Sequence, residues 1–172
     1  PGNPCCGDGV CGGPENEDNC PIDCGTIVIP PELNSIGFSA DTINTNSNAA
    51  AVIYNLTATA YDNYLSSYTI RLILNGGPIN GGEIFEDSGT FNMGVFESTK
   101  SGTFLFPIGT TEGQWNIRVI LMDENNNETN LGPNQLEQNN FQNFIIVDNS
   151  TMQIDDVQVP LEFSLGQNFP NP

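Results

Sequence analysis

Five cysteines, Cys5, Cys6, Cys11, Cys20 and Cys24, stand near the start of the chain, and none follows them. Thiols at that density, in a stretch almost without apolar residues, can staple it through disulfides or hold a zinc ion. Zinc thiolate sites usually bring C-x2-C pairs. The spacings here are C-x4-C and C-x3-C, which favours disulfides and an oxidising, extracellular compartment. Five is an odd number, so one thiol is left over or pairs between chains. Asp8, Glu15, Asp18 and Asp23 crowd carboxylates into the same stretch. Oxygen-only ligands at this density suit Ca2+; a solvated acidic surface is the plainer alternative. Asp62 and Asp123, set among Asn63, Asn125 and Asn127, are two more carboxylates in predicted loops. They can offer oxygens to Ca2+ or simply make turns.

Most other chemistry is missing. The 172 residues include no His, which removes imidazole bases and His-based triads. There are 21 Asp and Glu against 3 Lys and Arg, a net charge of −18. The three cations, Arg71, Lys100 and Arg118, cannot neutralise a phosphate backbone, so no nucleic-acid partner is expected. Anionic bilayer surfaces are disfavoured for the same reason, and no apolar run is long enough for a membrane span. Carboxylate pairs such as Glu83 with Glu86, or Asp155 with Asp156, raise glycoside hydrolysis. That mechanism needs two carboxylates across a sugar cleft, usually with aromatic platforms. The single Trp falls on a core face by its pattern. No G-x-S-x-G, H-E-x-x-H or phosphate-cradling loop occurs. The expectation is a protein that is not an enzyme.

The elements that must position these residues are short. Hydrophobic residues make up 37%, and 24 Asn, 18 Gly and 12 Pro punctuate them. That composition favours turns and an all-β fold. Alternating apolar runs predict strands at 32–39, 51–60, 67–74, 91–96, 102–108, 115–122 and 141–147. Seven short strands at this spacing are the pattern of a β-sandwich. Asn75-Gly76 and Asn80-Gly81 read as hairpin turns in which both central residues take positive φ. Trp115, Ile117, Val119 and Leu121 alternate, which puts one face of their strand in the core. No helical period is sustained; one short helical turn fits 133–140, around Leu136. The chain therefore divides into a Cys-rich module at 1–25, a sandwich at 26–150 and an extended strand at 151–172. In that last segment Val157, Val159, Leu161, Phe163 and Leu165 alternate strictly, as in a strand burying one face. Such a strand can add to an open sheet edge of another copy, giving a homopolymer, or dock on its own sandwich.

Three resemblances sharpen this. Cys6-Gly-Asp-Gly-Val-Cys11, with Glu15-Asn16 and Asn19-Cys20-Pro-Ile-Asp-Cys24, resembles a small module of secreted bacterial proteins. The resemblance implies two disulfides among Cys6, Cys11, Cys20 and Cys24, and leaves Cys5 as the odd or intermolecular thiol. Tyr61-Asp-Asn63, Tyr68-Thr-Ile-Arg-Leu72 and Gly113-Gln-Trp-Asn-Ile-Arg-Val-Ile-Leu-Met-Asp123 resemble bacterial immunoglobulin-like domains of surface and secreted proteins. Asn126 stands where that family has Gly in a left-handed turn, a conformation Asn tolerates. The resemblance implies an immunoglobulin-like β-sandwich used for spacing, adhesion or assembly. Phe163-Ser-Leu165-Gly-Gln-Asn-Phe-Pro-Asn-Pro172 resembles the opening of the C-terminal sorting domain read by the type IX secretion system of Bacteroidota. That implies export across the outer membrane and an extracellular or cell-surface location. No signal peptide is visible ahead of Pro1, and one is expected to have been removed. Asp41-Thr42-Ile43 resembles the O-glycosylation signal of the same bacteria, which would decorate Thr42. The asparagines of Asn55-Leu-Thr57, Asn127-Glu-Thr129 and Asn149-Ser-Thr151 match the N-glycosylation pattern, which is usually idle in bacteria. The combined expectation is a non-enzymatic extracellular structural protein, a filament subunit joined through its terminal segments. The alternative is an adhesive or carbohydrate-binding module of a larger secreted protein or hydrolase, with a carbohydrate or cell-surface ligand.

Overall fold

The computed structural model describes residues 20, 28–76 and 84–150. The expectations for Cys5, Cys6, Cys11 and Cys24, for Asp8, Glu15, Asp18 and Asp23, and for the strand at 157–165 lie outside those residues. Cys20 is buried and disulfide-bonded.

The described chain is an immunoglobulin-like β-sandwich. Its strands are β1 (Glu32–Phe38), β2 (Thr42–Ile43), β3 (Ala50–Thr59), β4 (Leu65–Leu74), β5 (Ile84–Thr90), β6 (Glu97–Phe106), β7 (Gly113–Asp123), β8 (Glu128–Leu131) and β9 (Phe144–Val147). One short helix, α1 (Pro133–Gln138), separates the last two. The first sheet has the order β1-β3-β6, and the second β2-β9-β7-β4-β5, with β8 also on β7. All pairings are antiparallel except β2 with β9. No described helix is long and apolar enough to cross a membrane.

The alternation in β7 does what its pattern requires. Trp115, Ile117, Val119 and Leu121 are all fully buried, while Arg118 is exposed. From the facing sheet Val52, Tyr54, Leu56 and Ala58 of β3 meet them in one core. Fully burying a side chain of this kind contributes about 1.5–3 kcal/mol. β7 is also the spine of its sheet. One edge pairs with β4; the other holds β9 against Gly113–Asn116 and β8 against Val119–Met122. Between them the chain leaves the edge as α1 and drops the fully buried Leu136 into the core.

Several expectations need correction. The run at 91–96 is not a strand: Phe91 is buried, but the segment is a loop that carries the chain between sheets. The strand lies just before it, at β5, whose half-buried Phe85, Asp87 and Gly89 alternate with exposed residues. β6 starts well before the expected 102, and β8 was not expected at all. At Asn75-Gly76 only Gly76 takes positive φ, +79°, so this is not the two-residue turn expected. Asn126 does adopt the left-handed conformation, at φ 65°.

One seam of the sandwich is locked by a polar cluster. Tyr54 is fully buried, and its hydroxyl donates to Asp87 Oδ2 of β5 at 2.7 Å, with the Tyr68 hydroxyl 3.2 Å away. A Cβ at Gly102 would come within 2.5 Å of Asp87 Oδ2 and closer still to Tyr54 Oη. Gly102 therefore gives β6 the room to pass β5. Gly102→Ala is expected to cost about 1–3 kcal/mol in urea unfolding. Gly37→Ala, with nothing within 4 Å of its Cβ, is the near-neutral control. Equal effects at the two positions would refute the clash.

Burial, with the hydrogen bonds to Tyr68 and Asp87, holds the Tyr54 phenol far above its ordinary range. Its folded pKa exceeds its unfolded one, so its stabilisation is complete below about pH 10 and is lost as pH rises beyond that. Tyr54→Phe is expected to flatten the alkaline limb of a stability-against-pH curve. An unchanged slope would overturn the assignment.

Candidate functional site

The strand directions define two poles. Glu32, Thr59 and Glu97 are partners across the first sheet, and Leu65 and Asp123 across the second, so these ends share one pole, called lower here. Val28, where the continuous described chain begins, precedes β1 there. The β3–β4, β5–β6 and β7–β8 connections also lie at this pole. Ala50 pairs with Phe106, and Gly113 with Val147, at the other, upper pole. The described chain ends there, at Ser150. The two ends of the described domain therefore leave from opposite poles, a strand's length apart.

At the lower pole Asp123 is 1% exposed, and its carboxylate is spent within its own turn. Oδ1 accepts the backbone N–H groups of Asn125 at 2.9 Å and Asn127 at 2.8 Å. Oδ2 accepts the Asn127 side-chain amide at 2.7 Å. The turn needs an acceptor here because Asn126 bends back through the left-handed region. Asp62, on the neighbouring loop, is exposed and accepts the N–H of Ile29 at 3.1 Å. The two loops touch where Glu124 N–H donates to the Tyr64 carbonyl. Each carboxylate thus has a structural role, and no cluster of three His, Cys, Asp or Glu side chains occurs among the described residues. Glu86, raised by the hydrolase idea, forms an ion pair with Arg71.

The upper pole holds a network the sequence reading missed. Asn149 Oδ1 accepts from both the N–H and the hydroxyl of Thr45, and its amide donates to the Thr110 carbonyl at 2.8 Å. Asn46 and Asn44 donate to the carbonyls of Asn149 and Asp148. The Ser150 side chain and its N–H both hydrogen-bond to the Asp148 carboxylate, which holds it below the usual carboxylate range. Asn149 is thus built into the fold, not presented as a glycan acceptor. The only outward hint was the density of Asn at 44, 46 and 48. Thr42 is exposed on β2, where its hydroxyl side chain is reachable.

The second seam of the sandwich is closed only in its upper half, where β2 pairs with β9. Below, between β1 and β8, a groove of about 360 Å3 is lined by Ile29, Leu33, Tyr61, Leu131 and Phe141 among others. Tyr61 is exposed, with its hydroxyl donating to Glu32 Oε2 at the rim, a bond that raises its pKa. Thr129 of β8 donates to the Pro31 carbonyl across the groove.

No protein-family model and no curated protein matches the chain. Solved structures similar to it include two of the CARDB domain of the PF1109 protein from Pyrococcus furiosus. The solution structure is 17% identical, covers 70% of this chain and 97% of that one, and has a TM-score of 0.37. The crystal structure, a complex with di-metal ions, is 19% identical, covers 69% and 90%, and has a TM-score of 0.36.

If Asp123 serves its turn, Asp123→Ala should cost about 2–3 kcal/mol, because two backbone donors lose a charged acceptor. Asp123→Asn keeps one acceptor oxygen and should cost clearly less. Urea unfolding of both, with and without millimolar Ca2+, is the check. Equal losses, or a rescue of wild type by Ca2+ that both variants lack, would return Asp123 to metal binding.

Proposed function

We propose that this is a non-enzymatic extracellular structural protein, the subunit of a surface filament assembled end to end through its terminal segments. The observation that carries the reading is the polarity of the domain. Its two ends leave at opposite poles, so each copy adds its full strand length to a linear assembly. The ten residues of β6 span about 33 Å at ~3.3 Å per residue. The outer face of the first sheet supports a spacer body: Asn55 pairs with Ser101, Thr57 with Thr99 and Thr59 with Asn34 through side-chain hydrogen bonds. These short polar groups consume one another's hydrogen bonds over the middle and lower part of that face, while exposed Ile53 and Leu105 lie above them.

Export belongs to the same proposal, motivated by the resemblance of 163–172 to a type IX sorting signal. Ca2+ enters it as a counter-ion for the carboxylates of Asp8, Glu15, Asp18 and Asp23, since 21 acids face 3 cations in the chain. The test is direct. Full-length protein, examined by light scattering and negative-stain electron microscopy, should grow with concentration into unbranched rods. A single monomeric species at every concentration, with and without Ca2+, would remove the reading.

A further inference from the structure

The parallel seam between β2 and β9 has only two paired positions, and side chains lengthen it. Ile146 N–H donates to the Asp41 carbonyl at 2.7 Å, and Asp148 N–H to the Ile43 carbonyl at 2.9 Å. Beyond them Asn44 donates to the Asp148 carbonyl at 2.7 Å, and Asn46 to the Asn149 carbonyl at 3.0 Å. Asn149 Oδ1 takes the N–H of Thr45 at 2.9 Å and its hydroxyl at 3.1 Å. Thr45 is fully buried, so water does not compete for these bonds. The stretch after β2 is thus tied, residue by residue, to the stretch after β9.

This seam crosses the shortest route between the two ends of the domain. β1 rises from the lower pole, passes to the other sheet at 39–41 and continues upward as β2, parallel to β9. β9 also runs upward and leads to the exit at Ser150. A pull on Val28 out of the lower pole therefore draws β2 down, while a pull on Ser150 out of the upper pole draws β9 up. The two strands are loaded along their lengths, past each other. Their hydrogen bonds lie across that direction and share the load, whereas a ladder opened from one end gives way bond by bond. β1 is loaded lengthwise against β3 in the same way. On its other edge β9 is held by β7, and the Asn149 amide reaches the Thr110 carbonyl ahead of that strand.

We propose that the domain carries tension from pole to pole, and that the β2–β9 seam, with Asn44, Thr45, Asn46 and Asn149, is the clamp that bears it. Tension along this axis follows from the end-to-end reading above, on which its use rests; the clamp itself is a property of one copy.

Single-molecule pulling of the full-length chain, held by tags at its two ends, tests it. The domain is recognised by the length it releases, roughly 400 Å for residues 28–150 at ~3.6 Å per residue less the folded span. Asn149→Ala cuts the clamp. Asp123→Ala is the control, because it breaks a turn at the lower pole that lies off the route between the ends. Each variant's unfolding rate is measured under constant load and in urea, since forced unfolding reads the unfolding rate. Asn149→Ala should raise the rate under load about tenfold more than it raises the rate in urea. Asp123→Ala should raise the rate under load by no more than it does in urea. Should Asn149→Ala fail to fold, N44A/N46A, at two exposed positions, takes its place and should show the same excess in smaller measure. Load and urea effects in one common ratio for both variants overturn the clamp. The outcome does not depend on polymerisation. An excess in a protein that stays monomeric keeps the clamp and removes only the filament. Filaments built from a domain without the excess keep the filament and remove the clamp.

Discussion

A buried phenol needs a partner, and the way Tyr54 finds one governs the shape of the whole sandwich. Its hydroxyl cannot stay unpaired in the core without a cost of about 1–3 kcal/mol. The acceptor, Asp87, comes from the other sheet. To bring it in, β5 must lean against β6, and only a residue without a Cβ at 102 lets the two strands pass. Gly89 plays the matching part for the Tyr68 ring, which would meet a Cβ there at 2.8–3.0 Å. Lys100, an inward-facing cation on the edge strand β6, lies 5.8 Å from the Phe91 ring at the same seam. An inward charge on an edge discourages another strand from pairing there. One seam is thus shut by chemistry, whereas on the opposite side an unpaired edge of β1 borders an apolar groove.

What could be read in the sequence was whatever local periodicity alone decides. Strand β7 is buried on one face along its whole length, so Trp115, Ile117, Val119 and Leu121 announce it. Asn126 was legible because few residues tolerate φ of 65°. Strand β5 was not, because it packs at a seam and shows Phe85, Asp87 and Gly89 on its inner face in place of large apolar residues. The identities at 87 and 89 are set by two tyrosines distant in sequence. The apolar run at 91–96 misled for the converse reason. Phe91 is buried from a loop, while Phe96 packs tilted against Tyr64 at a centroid distance of 4.6 Å in a surface pair. Spacing cannot separate such a loop from a strand.

The polar sites divide the same way. Asp123 followed by three asparagines signals either a turn or an oxygen-rich metal loop, and the residue types are identical in both. In the structure three donors converge on the one carboxylate, as a turn requires. Asn149 matches a glycan-acceptor pattern letter for letter, yet its amide and carbonyl oxygen are consumed by Thr45 and Thr110, more than a hundred and nearly forty residues away. The groove had no signature at all. It is assembled from the entry segment, β1, the β3–β4 loop, β8 and the stretch after α1, and only the pairing of β8 and β9 on successive halves of one β7 edge leaves the gap it occupies.

Charge sets the last constraint on any assembly of such copies. At −18 each molecule repels its own kind, and at physiological ionic strength that repulsion decays over about 8 Å. Side-by-side packing would hold many carboxylates within that distance along the whole body. End-to-end contact confines the proximity to one pole of each copy and leaves the bodies about a strand's length apart, roughly 33 Å for ten residues. A donated strand suits this balance, since backbone pairing and apolar burial act only at contact and need no complementary charge. The three cations cannot supply such complementarity in any case. Arg71 is paired with Glu86, Lys100 faces Phe91, and Arg118 lies opposite Arg71 on the neighbouring strand. Added salt would shorten the repulsion without weakening the strand, so an interface of this kind should strengthen where one built on ion pairs would fade.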